Sequence, residues 1–197
     1  NAGDPVVVYD RAADRWVISQ FHTGPNGICV AVSQTGNPVS GGWFLYDFSG
    51  LSSFPDYFKI GVWPTAYFIG ANAANNRAIA LNRTAMLTGS PATAIIRTTA
   101  APGVHSFLLP ADADGPTPPP AGSPGILYRH VDDAVGGAPD RIELFEFTPN
   151  FTTPASSTFT GPTAIPTAAF GSLCGFSFSC VFQPGTTQRL DSVTEWA

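Results

Sequence analysis

Charged side chains are scarce in this chain. They make up only 12% of its 197 residues, and the nine Lys and Arg leave a formal net charge of −5. Binding to nucleic acid needs Lys and Arg to replace the counterions of the phosphates, so this composition argues against a nucleic-acid partner. Long apolar runs are also missing, since no stretch approaches the roughly 20 residues that a membrane-spanning helix requires. We therefore expect neither nucleic-acid binding nor a membrane span.

Cysteine is almost as scarce, with three residues in the chain. Cys174 and Cys180 bracket a short loop that one disulfide could close, and the alternative is a pair of reduced, buried thiols. No His or third Cys lies near them, which argues against a zinc site there. Cys29 falls in a strand pattern and is expected to be buried. An odd cysteine in an exported chain indicates a partner outside this sequence.

Turn-forming and aromatic residues are abundant instead. The chain has 20 Gly, 19 Pro and 15 Phe, a composition that fits many short strands joined by tight turns. Two stretches repeat the same pattern, GDPVVVYDRAADRWVISQF at 3–21 and SFPDYFKIGVWPTAYFIGAN at 53–72. A strand-only repeat of about fifty residues is typical of a β-propeller blade.

The repeat predicts an all-β, propeller-like domain over residues 1–197, with a β-sandwich as the alternative fold. Three four-stranded blades are expected over about 3–50, 53–100 and 105–162, and residues 170–197 are expected to form a loop and the start of a fourth blade. The predicted strands are 6–9, 15–21, 27–33, 43–48, 57–62, 66–71, 78–82, 93–99, 107–110, 126–130, 141–147, 157–160 and 187–193. One helical turn is expected between the third and fourth strands of the second blade.

Three blades and one strand do not close a ring, since propellers have four to eight blades. The end blades of an open arc would expose apolar faces and unpaired strand edges. We therefore expect either self-association or further blades in a longer chain. The abrupt start, NAGDP, also indicates a fragment of a longer protein.

Two aspartates in a loop are a candidate calcium site. Asp112 and Asp114 lie two residues apart and are followed by Gly115, an arrangement that can present oxygen ligands to Ca²⁺. The alternative is an Asx-turn that begins the proline-rich run after it. No cofactor other than calcium is expected.

A second set of acids falls at or beside the innermost strands of successive blades: Asp4, Asp56 and Asp191. Innermost strands line the central channel of a propeller, so these carboxylates would converge on one funnel, where a glycosidase needs two of them. The alternative is that Asp4 and Asp56 bond to turn amides.

Further residues of the same strands are candidate ligand-binding groups. Trp63 could offer an aromatic platform to a sugar, while Lys59 and Arg189 could contact a ligand or simply neutralise the channel acids. The chain has no Gly-x-Ser-x-Gly elbow, which excludes the serine site of an α/β-hydrolase. It has no glycine-rich phosphate loop either.

Several segments resemble a group of bacterial extracellular propeller proteins that are loosely described as sialidase-like. The resemblance lies in residues 3–10, 15–16, 19–21, 29–33, 61–64, 108–122 and 183–192. It implies that the chain is the central piece of a longer secreted protein, and it carries over no catalytic residue. Asp4-Pro5 also resembles the Asp-Pro that opens the first blade of five-bladed glycosidases and contributes a catalytic carboxylate.

These observations favour a secreted, non-catalytic module that binds a glycan or a cell-surface protein. One alternative is a glycoside hydrolase that uses Asp4, Asp56 and Asp191. Another is a purely structural blade array, which calcium at Asp112 and Asp114 would stabilise.

Overall fold

The computed structural model describes residues 3–22, 24, 26–73, 77–99, 107–136, 139–172 and 179–190. Within them the regular secondary structure is almost entirely β-strand. The strands are β1 (Val6–Asp10), β2 (Arg15–Phe21), β3 (Ile28–Ser33), β4 (Trp43–Phe48), β5 (Asp56–Val62), β6 (Tyr67–Asn72), β7 (Arg77–Leu81), β8 (Ala94–Thr98), β9 (Leu109–Pro110), β10 (Gly125–Val131), β11 (Arg141–Thr148), β12 (Thr158–Pro166), β13 (Val181–Phe182) and β14 (Arg189–Leu190). The helices are α1 (Arg83–Leu87), α2 (Asp133–Gly136) and a 3₁₀ turn at Pro154–Ser156.

The strands form three four-stranded antiparallel sheets and one two-stranded sheet. The first sheet has the order β1-β2-β3-β4, the second β5-β6-β7-β8 and the third β12-β11-β10-β9, so each is a simple meander. β13 and β14 pair with each other. Among the described residues, no helix is long and apolar enough to cross a membrane.

The second sheet is buried on both faces. Along β6 and β7, alternate residues enter two different cores: Tyr67, Ile69 and Ile79 belong to the first, and Phe68 and Ala80 to the second. The first core is completed by the first sheet, and the second core by the third sheet. A strand covered on both sides needs a continuous apolar run rather than alternation, which explains the sequence of β6, YFIGAN.

The first strands of the three meanders lie side by side. β1 contacts β5, and β9 contacts both β5 and β6. Two glycines allow the close approach of the third sheet, because a Cβ at Gly61 would overlap the carbonyl of Ala111 and one at Gly70 would overlap that of Leu108. The carbonyl of Val62 also accepts a hydrogen bond from the Ala113 amide at 2.9 Å.

The predicted all-β fold is confirmed. Eleven of the twelve strands expected in three blades appear within two residues of their predicted ends, and the helical turn appears as α1. The twelfth, predicted as 157–160, continues to Pro166. The strand predicted at 187–193 is described only as Arg189–Leu190, where it pairs with β13. Three stacked meanders occur both in propellers and in layered sandwiches, so the propeller remains a proposal.

Candidate functional site

The beginnings of β1 and β5 bring together three of the residues predicted to line a funnel. The ammonium group of Lys59 lies close enough to the carboxylates of Asp4 and Asp56 for both of them to favour its positive charge electrostatically. Burial lowers the pKa of Lys59, and the two carboxylates oppose that shift. Lys59 Nζ also lies 3.5 Å from the centroid of the Tyr57 ring, a cation–π geometry. We call Asp4, Asp56, Tyr57 and Lys59 the strand mouth.

The backbone of the strand mouth is strained. Asp4 and Tyr57 both have φ of 50°, in the left-handed region that only glycine enters freely. Asp tolerates this conformation better than a bulky aromatic residue does. The pairing of β5 with β6 is irregular between Asp56 and Lys59, where Tyr57 lies. Strain of this kind clusters at functional sites, where the surrounding structure holds it in place.

Trp63 lies near the opposite end of β5 and is mostly buried. The residue is only 9% exposed and packs in the second core. Its indole Nε1–H donates to the Ala111 carbonyl at 2.8 Å. The structure therefore gives this side chain a packing role and leaves little of its surface for a sugar.

Asp112 and Asp114 lie beside Trp63 in one small cleft of about 30 Å³. Asp112 Oδ1 accepts the Val62 amide at 2.9 Å, so this carboxylate joins the third sheet to the second. Burial raises the pKa of Asp112, although that hydrogen bond opposes the shift. Arg11 and Arg83 line the same cleft, and the charge of Arg11 opposes a bound cation, whereas that of Arg83 is paired with Asp10. Calcium here stays a prediction, which the melting temperature with and without a chelator would test.

The remaining predicted site residues lie near the end of the chain. Arg189 is exposed in β14, where its guanidinium carbon lies 4.2 Å from the centroid of the Phe182 ring. Asp191 and Cys174 fall outside the described residues, so the third channel acid and the Cys174–Cys180 disulfide stay predictions.

A buried ionic network that no sequence pattern indicates connects the first two sheets. Asp10 Oδ2 accepts from the Tyr67 hydroxyl at 2.8 Å and from Arg83 Nε at 2.6 Å. Asp10 Oδ1 accepts from Arg83 Nη2 at 2.9 Å. Both carboxylate oxygens are therefore occupied by side chains of the second sheet and of α1, the helix between β7 and β8. This geometry is suited to joining elements and leaves Asp10 no free lone pair directed at a ligand.

The outer face of the first sheet, turned away from the second sheet, carries an exposed apolar row. Val7, Ile18, Ala31 and Leu45 lie directly opposite one another across all four strands. Val7 is 54% exposed and Leu45 78%. A groove of about 500 Å³ runs along this face. We call these four residues the outer row.

Three potential metal ligands lie next to the outer row. His22 Nε2 is 3.3 Å from Asp47 Oδ2, and Cys29 pairs directly with Asp47 across β3 and β4. Ligand atoms of all three side chains lie within 4.8 Å of one another. Cys29 was expected to be buried; it is half-buried and free, and it lines the groove.

Sequence spacing gave no sign of this group, because its members come together only through strand pairing. His22, Cys29 and Asp47 are separated by 7 and 18 residues, spacings that match no metal-binding motif. Only the register of β2, β3 and β4 places them on one face.

No match to this chain was found among protein-family models, curated proteins or solved structures. The resemblance to sialidase-like propellers therefore stays a prediction that rests on the sequence segments alone.

Proposed function

We propose that this chain is a secreted, non-catalytic binding module of the β-propeller type, and that it binds a protein partner through the outer face of its first sheet. The observation that carries the proposal is the exposed outer row of Val7, Ile18, Ala31 and Leu45. Contiguous exposed apolar surface of this kind marks interaction sites on soluble proteins.

The second sheet has an apolar row at the equivalent register position, and its surroundings indicate which kind of element covers an apolar face of this type. Ile60, Ile69, Ile79 and Ile96 are likewise paired across β5 to β8. The first three are 7%, 0% and 2% exposed, and they belong to the core that the first sheet completes. In this fold, therefore, a face of this type is covered by another four-stranded sheet.

The partner that we propose is a second copy of the chain. Its third sheet has an outer side on which Tyr128, Ile142 and Leu144 are half-buried, opposite the side that packs on the second sheet. Docking of that side on the outer row would continue the existing stack of sheets head to tail. Such contacts close into a ring when the rotation per copy allows it.

The molar mass in solution, measured by size-exclusion chromatography with light scattering, tests this proposal. We expect a species of twice 20.6 kDa. Leu45→Lys should weaken association at least about tenfold, because it buries a charge in an apolar contact. Val39→Lys is the matched control, since Val39 is 92% exposed but belongs to a loop away from the row.

Two results would contradict self-association through this face. One is a monomeric wild type at about 100 µM, a concentration at which even a weak dimer forms. The other is equal loss of association in Leu45→Lys and Val39→Lys.

The strand mouth supports a second candidate function, the binding of a glycan. It combines two carboxylates, a lysine and an aromatic ring on a strained backbone. Glycan binding that is lost in Lys59→Met and retained in Leu45→Lys would assign the ligand to this mouth. The glycoside hydrolase alternative uses the same place, and it requires turnover of chromogenic glycosides by the wild type that disappears in Asp4→Asn.

A further inference from the structure

We propose that His22, Cys29 and Asp47 form a site for a zinc-type divalent transition metal on the first sheet. The three side chains offer an imidazole nitrogen, a thiolate and a carboxylate oxygen, a mixed donor set that zinc accepts. The thiolate and imidazole disfavour calcium and magnesium, which prefer oxygen ligands. This inference does not depend on the proposed function.

The distances fit a metal between the three groups. Two ligands at about 2.0 Å from a tetrahedral zinc lie about 3.3 Å apart. His22 Nε2 and Asp47 Oδ2 are separated by 3.3 Å. The Cys29 sulfur belongs to the same group, whose ligand atoms all lie within 4.8 Å of one another. Small side-chain rotations are therefore enough to bring all three donors to one ion.

The positions of the ligands are fixed by the sheet. Cys29 and Asp47 are directly opposed in the β3–β4 ladder, which places their side chains on the same face. The His22 amide donates to the Gly27 carbonyl at 3.0 Å, which continues the β2–β3 pairing up to the histidine. A site on paired strands loses little conformational freedom when it binds a metal.

Metal binding would rearrange protons and one hydrogen bond. His22 Nδ1 accepts the Gly24 amide at 2.9 Å, so in the metal-free chain Nε2 carries the ring proton, next to Asp47. The metal takes the place of that proton at Nε2, the ring proton moves to Nδ1, and the exposed Gly24 amide turns to solvent. The thiol proton of Cys29 passes to water. Three protein ligands leave a fourth position open for water or for a side chain of a docked partner.

We propose no metal site at the second group of possible ligands, which consists of Asp132, Asp133 and Asp140. Asp132 accepts the amides of Ala134 and Ser172, at 2.8 and 2.6 Å. Asp140 accepts those of Asp133 and Phe170, at 2.7 and 2.6 Å. The buried carboxylates of Asp132 and Asp140 therefore already hold the turn around α2 through hydrogen bonds. This group of acids is a suitable control for the metal titration.

Titration of the reduced full chain with Co²⁺ tests the site. We expect one Co²⁺ per chain, with the charge-transfer absorption of a thiolate ligand and displacement by Zn²⁺. Cys29→Ser should abolish that absorption even though Cys174 and Cys180 remain. His22→Ala and Asp47→Ala should each weaken binding at least about tenfold, because each removes one of three ligands.

The control variant is Asp133→Asn, which should bind Co²⁺ as the wild type does. Circular dichroism of each variant checks the fold. If Cys29→Ser does not fold, His22→Ala still tests the site, because His22 lies outside the strands, just after the end of β2. Thiolate absorption that persists in Cys29→Ser, or Co²⁺ affinity that depends on Asp133 and not on His22, would overturn the proposal.

Discussion

Asp10 joins the first sheet to the second through buried hydrogen bonds and an ion pair. It is completely buried, and its carboxylate accepts hydrogen bonds from Tyr67 and Arg83 as well as the Ala13 amide at 3.1 Å. Burial by itself raises the pKa of Asp10, but the bonds and charge of Arg83 outweigh it, so the pKa lies below its usual value. The ionised form is therefore the one that the folded chain favours.

We predict that Asp10→Asn lowers the free energy of unfolding by about 3 kcal/mol at neutral pH, because Arg83 is then left buried without its counter-charge. Tyr67→Phe, which removes a single donor, should cost about 1–2 kcal/mol. Urea denaturation monitored by circular dichroism measures both. A loss in Asp10→Asn no larger than that in Tyr67→Phe would contradict the assignment of Arg83 as the main partner.

The lowered pKa of Asp10 also predicts a pH dependence of stability. An unfolded Asp titrates at about pH 3.9 and the folded one below that, so the stabilisation is complete above about pH 4 and is lost as the pH falls through the folded pKa. Between pH 5 and pH 3 the wild type should lose more stability than Asp10→Asn. Equal losses in the two proteins would show that other carboxylates dominate acid unfolding.

The sequence could predict the residues that the repeat brings together, but not those that strand register brings together. Asp4, Asp56 and Lys59 follow from the fifty-residue repeat, since equivalent positions of successive meanders lie side by side. The group of His22, Cys29 and Asp47 depends on cross-strand register within one meander, which hydrophobic alternation alone does not specify. Asp10 was not predicted as a site residue, because its partner Arg83 lies 73 positions away in sequence.

At the scale of elements, the ends of strands that are bounded by clear turn residues could be predicted closely. The ends of irregular strands could not. Gly and Asx-rich turns bound every strand of the first sheet, and β2 and β4 match their predicted ends. β12 was predicted too short because Pro162 and Pro166 interrupt its pattern. It lies at the edge of the third sheet, where proline is tolerated since no ladder partner is needed on the free side.

Gly70 offers a test of how the third sheet packs on the second. A methyl group there would overlap the Leu108 carbonyl, a backbone atom that cannot rotate away. We predict that Gly70→Ala lowers the free energy of unfolding by about 2–3 kcal/mol, as expected for overpacking in a rigid core. Gly115→Ala is the matched control, because the nearest atom to its Cβ is 4.0 Å away, and it should be nearly neutral.

Chemical denaturation of the two glycine variants distinguishes local packing from a general effect of added side chains. If Gly70→Ala and Gly115→Ala were equally stable, the close contact between β6 and the segment before β9 would not exist in solution. The arrangement of the second and third sheets would then have to be different.

At the scale of the whole molecule, the chain combines a net charge of −5 with an apolar face. These two properties act in opposite directions on self-association. Burial of the outer row favours assembly, while two copies of like charge repel each other over a distance set by the ionic strength. Two copies would stack six four-stranded sheets, a number within the range of closed propellers.

We predict that salt strengthens the assembly. Raising the ionic strength from about 0.01 M to about 0.15 M shortens the Debye length from about 30 Å to about 8 Å, which screens the repulsion between copies and leaves apolar contacts intact. The dissociation constant, measured by sedimentation equilibrium, should therefore fall as salt is added. An assembly that depended on ion pairs between copies would show the reverse, with a dissociation constant that rises with salt. Leu45→Lys reduces the net charge as it disrupts the outer row, so its association should be weaker than that of the wild type at both ionic strengths.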